Sequence, residues 1–222
     1  MPKRIILSGY NKPDENTLLL LHFDNGIKDA SRYNRQLTLN GGVSISTDQK
    51  VFGNASLYLD GINDYITLGK ANDYLAGDFT VDFWCYVIPS IQYPSPIQAI
   101  SDNLSGFLPF QFSRDGINNP NVYGFVGNGW AIYNGKIGEA SYNYWHHYVI
   151  VRKGNTYYWF IDGILVKVIT SSIILYNGDP IFYLGLANTD NINRFFKGYI
   201  DEFRLSNVAR WTSNFTPPTK PY

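Results

Sequence analysis

Apolar and polar positions alternate along much of this chain. In ASLYLDGINDYITL, residues 55 to 68, Ala55, Leu57 and Leu59 share one parity; the chain turns at Gly61 to Asp64 and resumes with Tyr65 to Leu68. A period of two marks a strand with one face buried. FTVDFWCYV puts Phe79, Val81, Phe83, Cys85 and Val87 on one parity and Asp82 on the other. WHHYVIVRKGNTYYWFIDGILVKVI, residues 145 to 169, reads as three strands, with turns at Gly154-Asn155 and Asp162-Gly163. Asp-Gly suits a two-residue hairpin because both residues tolerate the positive φ of a type I′ turn. KGYIDEFRLS, residues 197 to 206, is a further strand, with Tyr199, Asp201, Phe203 and Leu205 in phase. LLLLHFDNGIKDASRYN, residues 18 to 34, begins as a core strand and breaks into a loop holding Asp24 and Asp29.

Helical periodicity is almost missing. Roughly twelve to fourteen short strands separated by Gly, Asn and Asp turns predict an all-β sandwich or barrel. No linker marks a domain boundary. The reading is one domain over 17–218, an N-terminal extension over 1–16 that is a candidate anchor, and an extended tail over 219–222. The prolines of TPPTKPY exclude helix and central strand there.

Composition narrows the function classes. The 18 basic and 18 acidic residues balance, so clustered phosphate-neutralising charge, and with it nucleic acid, is not expected. No apolar run approaches membrane-spanning length, and the short trio Ile5 to Leu7 does not make a secretory signal. The single cysteine, Cys85, has no internal disulfide partner and reads as a small buried hydrophobe. Aromatic residues make up 17% of the chain, enough to fill a core and still supply a binding surface.

Five phrases in order carry a resemblance: LLLLHFDNGIKDAS, FGNASLYLDGINDYITLG, GDFTVDFWCYV, WHHYVIVRKGNTYYWFIDGILV and GYIDEFRLSNVARWTSNFTPP. Together they resemble the laminin-G-like, concanavalin A-like jelly-roll family, from about Leu18 to Pro218. The ending NVARWTSNFTPPTKPY is similar to versions found in bacteriophage tail, fibre and decoration proteins. The resemblance implies a jelly-roll sandwich of two curved antiparallel sheets, in a family whose members often bind carbohydrate, sometimes with calcium, and often lack catalysis. It also implies a structural calcium ion held by Asp24, Asp29 and Asp201, with carbonyls from the 25–34 loop. Asp201 shares parity with apolar neighbours, and a buried carboxylate is costly unless paired, hydrogen-bonded or metal-bound. The loop departs from the EF-hand template at Gly26 and Lys28, and Arg32 follows Ser31 where the family often has Gly. Asp24 and Asp29 equally suit solvated turns or caps. The second acidic turn, LDGINDY, reads as a hairpin whose Asp and Asn side chains bond their own backbone, although some relatives use its equivalent for a ligand or ion.

Catalysis finds little footing. Glycoside hydrolysis needs two carboxylates flanking the scissile bond. The chain has three glutamates, Glu15, Glu139 and Glu202, none in the Glu-x-Asp-x-x-Glu spacing that jelly-roll glucanases use. Asp82 is a lone mid-strand carboxylate, expected on a concave or solvent face. His22, His146 and His147 lack a nucleophile-elbow motif and read as structural or surface residues. Binding is the stronger expectation, because flat aromatic rings stack on sugar rings and rigid sandwiches carry recognition on their loops. The less regular stretch 88–144 offers Tyr93, Trp130, Tyr133, Asn134, Tyr142 and Tyr144, with Trp130 at an expected loop tip after Gly127, Asn128 and Gly129. The expectation is a non-enzymatic adhesion module on a virion surface, assembled in the host cytoplasm, that recognises a cell-surface glycan. The alternatives are a decoration or fibre subunit that contacts other virion proteins or forms a homo-oligomer, then a glycoside hydrolase or lyase, and an extracellular location.

Overall fold

The computed structural model describes residues 12–90, 95–100, 106–112, 120–127, 131–171, 180–189 and 192–222. Among them the strands are β1 (Thr17–Leu21), β2 (Thr38–Asn40), β3 (Ser44–Ser46), β4 (Ser56–Asp60), β5 (Tyr65–Lys70), β6 (Phe79–Val87), β7 (Ile97–Ile100), β8 (Gly106–Phe112), β9 (Asn121–Gly127), β10 (Ala131–Glu139), β11 (Trp145–Lys153), β12 (Thr156–Ile161), β13 (Ile164–Thr170), β14 (Ile181–Leu184), β15 (Leu186–Thr189), β16 (Ile192–Phe195) and β17 (Lys197–Ser206). A single short helix, α1 (Asn72–Leu75), follows β5 among the described residues.

The strands form two large antiparallel sheets. One runs β13-β12-β11-β6-β17-β4-β3, with β1 also paired to β17; the other runs β10-β9-β8-β7-β14-β5-β2. β15 and β16 form a small ribbon. The hairpins joining β11, β12 and β13 fall where the turn residues predict, with Gly154, Asp162 and Gly163 all at positive φ. The link at Gly61 to Asp64 is different: it is not a hairpin. β4 belongs to the first sheet and β5 to the second, so the turn is a corner between layers. Its acidic side chains do bond local backbone, Asp60 Oδ1 taking Ile62 N at 2.7 Å and Asp64 Oδ2 taking Asp60 N at 3.1 Å.

The core lies between the two sheets. Leu57, Leu59, Val81, Phe83, Cys85, Tyr148, Ile150 and Trp159 come from the first, and Ile66, Leu68, Phe110, Val122, Phe182 and Leu184 from the second. Phe110 meets Phe83 edge-on at 5.8 Å and Tyr148 at 5.3 Å, so aromatic contacts bridge the layers. Cys85 is buried in this cluster as its parity predicts.

The first sheet is also covered on its outer face. Val149, Val151 and Phe160 are fully buried there against Ala209, Trp211 and Phe215 of the segment after β17. Trp211 and Phe215 stack at 4.1 Å, and the segment is pinned by Thr80 Oγ1 donating to the Val208 carbonyl at 2.7 Å and by Phe215 N donating to the Gly163 carbonyl at 2.9 Å. The segment after β17 is therefore part of the packing. Asp14, just ahead of β1, is tied in as well: Arg210 makes two 2.9 Å contacts to it. Those hydrogen bonds hold the Asp14 carboxyl down at about 2.

One strand departs from its expected phase. β17 carries a bulge between Asp201 and Arg204, with Glu202 at φ 50°. An extra residue in one strand shifts every later side chain to the other face. Tyr199 and Asp201 consequently lie on the outer face, while Phe203 and Leu205 join the core.

Candidate functional site

Three groups of side chains stand out. The first joins Asp24, just past β1, to Asp201 before the bulge in β17. Loop amides of residues 51–55 cradle both. Val51 N and Phe52 N donate to Asp201 Oδ2 at 2.8 and 3.1 Å. Ala55 N donates to Asp24 Oδ1 at 3.0 Å, and Asn54 N donates to the same oxygen. Gly53 sits at φ 58° between them, and a Cβ there would run into the Asp24 carboxylate. Asp24 Oδ2 and Asp201 Oδ1 are buried without hydrogen-bond partners among the described residues. Burial pushes the Asp201 carboxyl up to about 7; the two amide bonds oppose this, and Glu202 and Asp24 add to it. Buried carboxylate oxygens left without partners are costly, and a hard cation or a proton would satisfy them. No group of three or more His, Cys, Asp or Glu side chains suited to a metal occurs among the described residues, so a cation here would complete its shell from backbone carbonyls and water.

Asp29 does not share in this arrangement. Its Oδ1 takes Leu20 N at 3.1 Å and Ser31 N at 2.8 Å; its Oδ2 takes Ser31 Oγ and Arg35 N, both at 2.8 Å. With four protein donors its lone pairs are spent on folding the loop back onto β1. Of the three expected ligands, Asp29 thus organises its own loop, and Asp24 and Asp201 are the ones with oxygens that have no partner among the described residues. The burial expected of Asp201 is present, but on the outer face under the 51–55 loop rather than in the sandwich core.

The second group centres on Asp82, which is fully buried rather than on an open face. Arg204 holds it through two contacts, at 3.0 and 2.8 Å. The Tyr222 ring lies 3.7 Å under the Arg204 guanidinium, and its hydroxyl donates to Asp82 Oδ2. His147 Nε2 is 3.8 Å from Asp82, too far for a direct bond, but 3.0 Å from the Tyr222 oxygen. The carboxylate has no proton to give, so the phenol donates to it and accepts from His147. Burial alone would raise the Asp82 carboxyl; Arg204 and His147 outweigh it and hold the group well below the usual carboxylate range. Glu202, also buried, takes His22 Nδ1 at 2.7 and 2.9 Å and Tyr222 N at 3.0 Å. Beside this network, Pro13, Asp14, Arg204, Pro218, Lys220 and Tyr222 line a cavity of about 500 Å³. Sequence reading missed Arg204 and Tyr222 because their partners stand far away in the chain. His147, expected to be a structural or surface residue, is the structural link. His146 binds Asp162 at 2.6 Å at the hairpin turn.

The third group is the predicted aromatic set, and it is scattered. Tyr144 is 67% exposed just before β11, whereas Tyr142 is half-buried against the main core. Tyr133 and Asn134 lie within β10, paired with Val126 and Phe125, not in a loop. Tyr93 and Trp130 lie outside the described residues.

With this geometry in hand, the sequence profile described as the concanavalin A-like lectin/glucanases superfamily, of the Laminin_G_3 type, matches residues 59–213. The chain belongs to this superfamily. No curated protein sequence matches it. Among solved structures it is similar to domain 4 of AbnA, an extracellular arabinanase from Geobacillus stearothermophilus in complex with arabinotriose, at 17% identity and a TM-score of 0.56 over 87% of this chain and 93% of that one. It is also similar to the botulinum neurotoxin type G receptor binding domain, at 19% identity and a TM-score of 0.63 over 87% of this chain and 48% of that one, and to the botulinum neurotoxin serotype D binding domain, at 16% and 0.61 over 87% and 49%. The chain thus spans about half the length of the neurotoxin domains. At these identities the likeness is one of fold.

Two predictions follow from the carboxylates. Removing one member of a buried ion pair strands the other, so Arg204→Met should cost about 3–5 kcal/mol, and Tyr222→Phe about 1–3 kcal/mol, in urea unfolding. For Asp201, the native state holds a proton that the unfolded chain has already lost above about pH 4. In calcium-free buffer, stability should therefore fall as pH rises from about 4 to about 7, by about 1.4 kcal/mol per unit of pKa difference. Asp201→Asn should flatten that slope in urea titrations at stepped pH.

Proposed function

We propose that the chain is a non-catalytic carbohydrate- or receptor-binding module displayed on a bacteriophage virion, where it recognises a glycan of the host surface. The observation that carries this reading is the commitment of the three buried carboxylates of β6 and β17. Asp82 is closed off by Arg204 and Tyr222, Glu202 by His22 and the Tyr222 backbone, and Asp201 is covered by loop amides. None of them is presented as an acid facing a base across a groove, as glycoside hydrolysis requires. Aromatic groups, in contrast, reach solvent on a rigid sandwich, which suits recognition. The fold is shared with an arabinanase domain in complex with arabinotriose and with neurotoxin receptor binding domains, which supports a binding role. The virion setting is supported by the C-terminal phrase NVARWTSNFTPPTKPY, similar to versions in phage tail, fibre and decoration proteins.

On a glycan array the intact chain should retain at least one cell-surface glycan, and incubation with the matching polysaccharide should release no new reducing or unsaturated ends. Absence of binding across the array, or product release, would overturn this reading.

A calcium ion belongs to the same proposal as a structural element, held by Asp24 Oδ2 and Asp201 Oδ1, the two buried oxygens without partners. When bound it would neutralise the paired carboxylates and fix the 51–55 loop to β17; it has no role in bond cleavage. Excess calcium should raise the melting temperature and EDTA should reverse the shift, because a ligand that binds only the folded state stabilises it. Asp24→Ala and Asp201→Asn should each abolish the response; an unchanged melting temperature in the unsubstituted chain argues against the ion.

A further inference from the structure

Residues that no loop-based reading selects line up on the outer face of the first sheet. Tyr199 of β17 stands directly opposite both Tyr58 of β4 and Tyr86 of β6, and Tyr86 stands opposite Trp145 of β11. The rings follow one another at 5.0 Å and 43° (Tyr58 to Tyr199), 5.7 Å and 82° (Tyr199 to Tyr86) and 5.7 Å and 62° (Tyr86 to Trp145), so faces and edges alternate along the row. All four are half-buried. Their neighbours along the strands, Leu57, Leu59, Cys85, Val87 and Ile200, face the core, so the row serves no inter-sheet packing.

We propose that this row is a platform for a neutral, linear oligosaccharide lying across the strands, in contact with at least three sugar rings. The proposal rests on the glycan-binding reading above and assigns that reading a site on the sheet face. Three observations select this occupant. The row is one residue wide and crosses four adjacent strands, about 14 Å at the strand spacing of a sheet, which is the footprint of a linear chain rather than of a protein domain. It is built only of Tyr and Trp, rings that present an apolar face together with a polar edge, with none of the aliphatic side chains a protein-protein core would add. The Trp145 Nε1 donor is buried without a partner among the described residues, a polar group that a ligand settling on the row could satisfy. One long side of the row is closed by the 51–55 loop, where Phe52 packs edge-on against Trp84, the next outward residue of β6. Burial, and after it the nearby Asp48 carboxylate, raise the Tyr199 phenol; a carboxylate beside the row disfavours an anionic sugar. Tyr144, the most exposed of the predicted aromatics, precedes Trp145 in sequence but is not a member of the row.

The test titrates the full chain with linear arabinan, cellohexaose, mannohexaose and a sialylated hexasaccharide by calorimetry, with disaccharides as length controls. The expected result is binding of at least one neutral hexamer, with the disaccharide weaker. Tyr86→Ala and Tyr199→Ala should each weaken it about tenfold or more, while Tyr86→Phe, Tyr199→Phe and Tyr144→Ala stay within a few-fold. Melting curves establish that the alanine variants are folded, and the phenylalanine variants test stacking without loss of packing. Neutral-glycan binding that survives both alanine changes and is lost in Tyr144→Ala overturns the platform while leaving the glycan reading intact. Binding of the sialylated probe alone overturns the neutral platform. No binding to any glycan overturns both readings. A dimer in sedimentation that Tyr86→Ala converts to monomer, with no effect of glycan, makes the row an interface between copies and overturns the proposal.

Discussion

The architecture turns on one backbone irregularity in β17. This strand pairs with β1, β4 and β6 and so sits inside the first sheet. Its bulge, with Glu202 in the left-handed region, reverses the facing of every residue that follows. Before the bulge, Tyr199 and Asp201 face outward, one into the aromatic row and the other under the loop amides. After it, Phe203 and Leu205 point into the core and Arg204 points out to Asp82. A regular strand would place these groups on one face and leave either a core gap or an unpaired buried charge. A positive φ at a non-glycine residue is strained, and the contacts Glu202 makes with His22 and Tyr222 hold it in place.

The outer face of the sheet is consequently divided among three tasks. Its middle is closed by the C-terminal segment, which buries Val149, Val151 and Phe160 and seals the Asp82, Arg204 and His147 network with Tyr222. Beside that lies the loop cradle around Asp24 and Asp201. Toward the strand ends the cover stops and the aromatic row emerges. Burial on both faces makes the central strands a rigid support for the groups that reach solvent.

The strands of residues 145–169 were legible because turn chemistry and alternation agree there: Gly154 and Asp162-Gly163 supply positive φ exactly between apolar runs. The sandwich class and the burial of Cys85 were legible for the same reason. The corner at Gly61 to Asp64 was misread as a hairpin, since a turn does not encode which sheet receives its second strand. The expected open face for Asp82 failed because parity tells which side of a strand a residue takes, not what covers that side. The candidate loop aromatics fared unevenly, with Tyr144 exposed, Tyr142 packed on the core, and Tyr133 and Asn134 drawn into β10.

By itself, then, the sequence determined the class of fold, most strands and their hairpins, and the pool of aromatic and acidic residues available for recognition, all of which follow from local periodicity and turn preference. Tertiary structure decided how those residues group. The pairing of Asp24 with Asp201, the saturation of Asp29, the sealing of Asp82 by Tyr222 and the alignment of Tyr58, Tyr199, Tyr86 and Trp145 all depend on strand order and register. Those are set by contacts between segments far apart in the chain, where each residue's partner is chosen by packing and not by spacing.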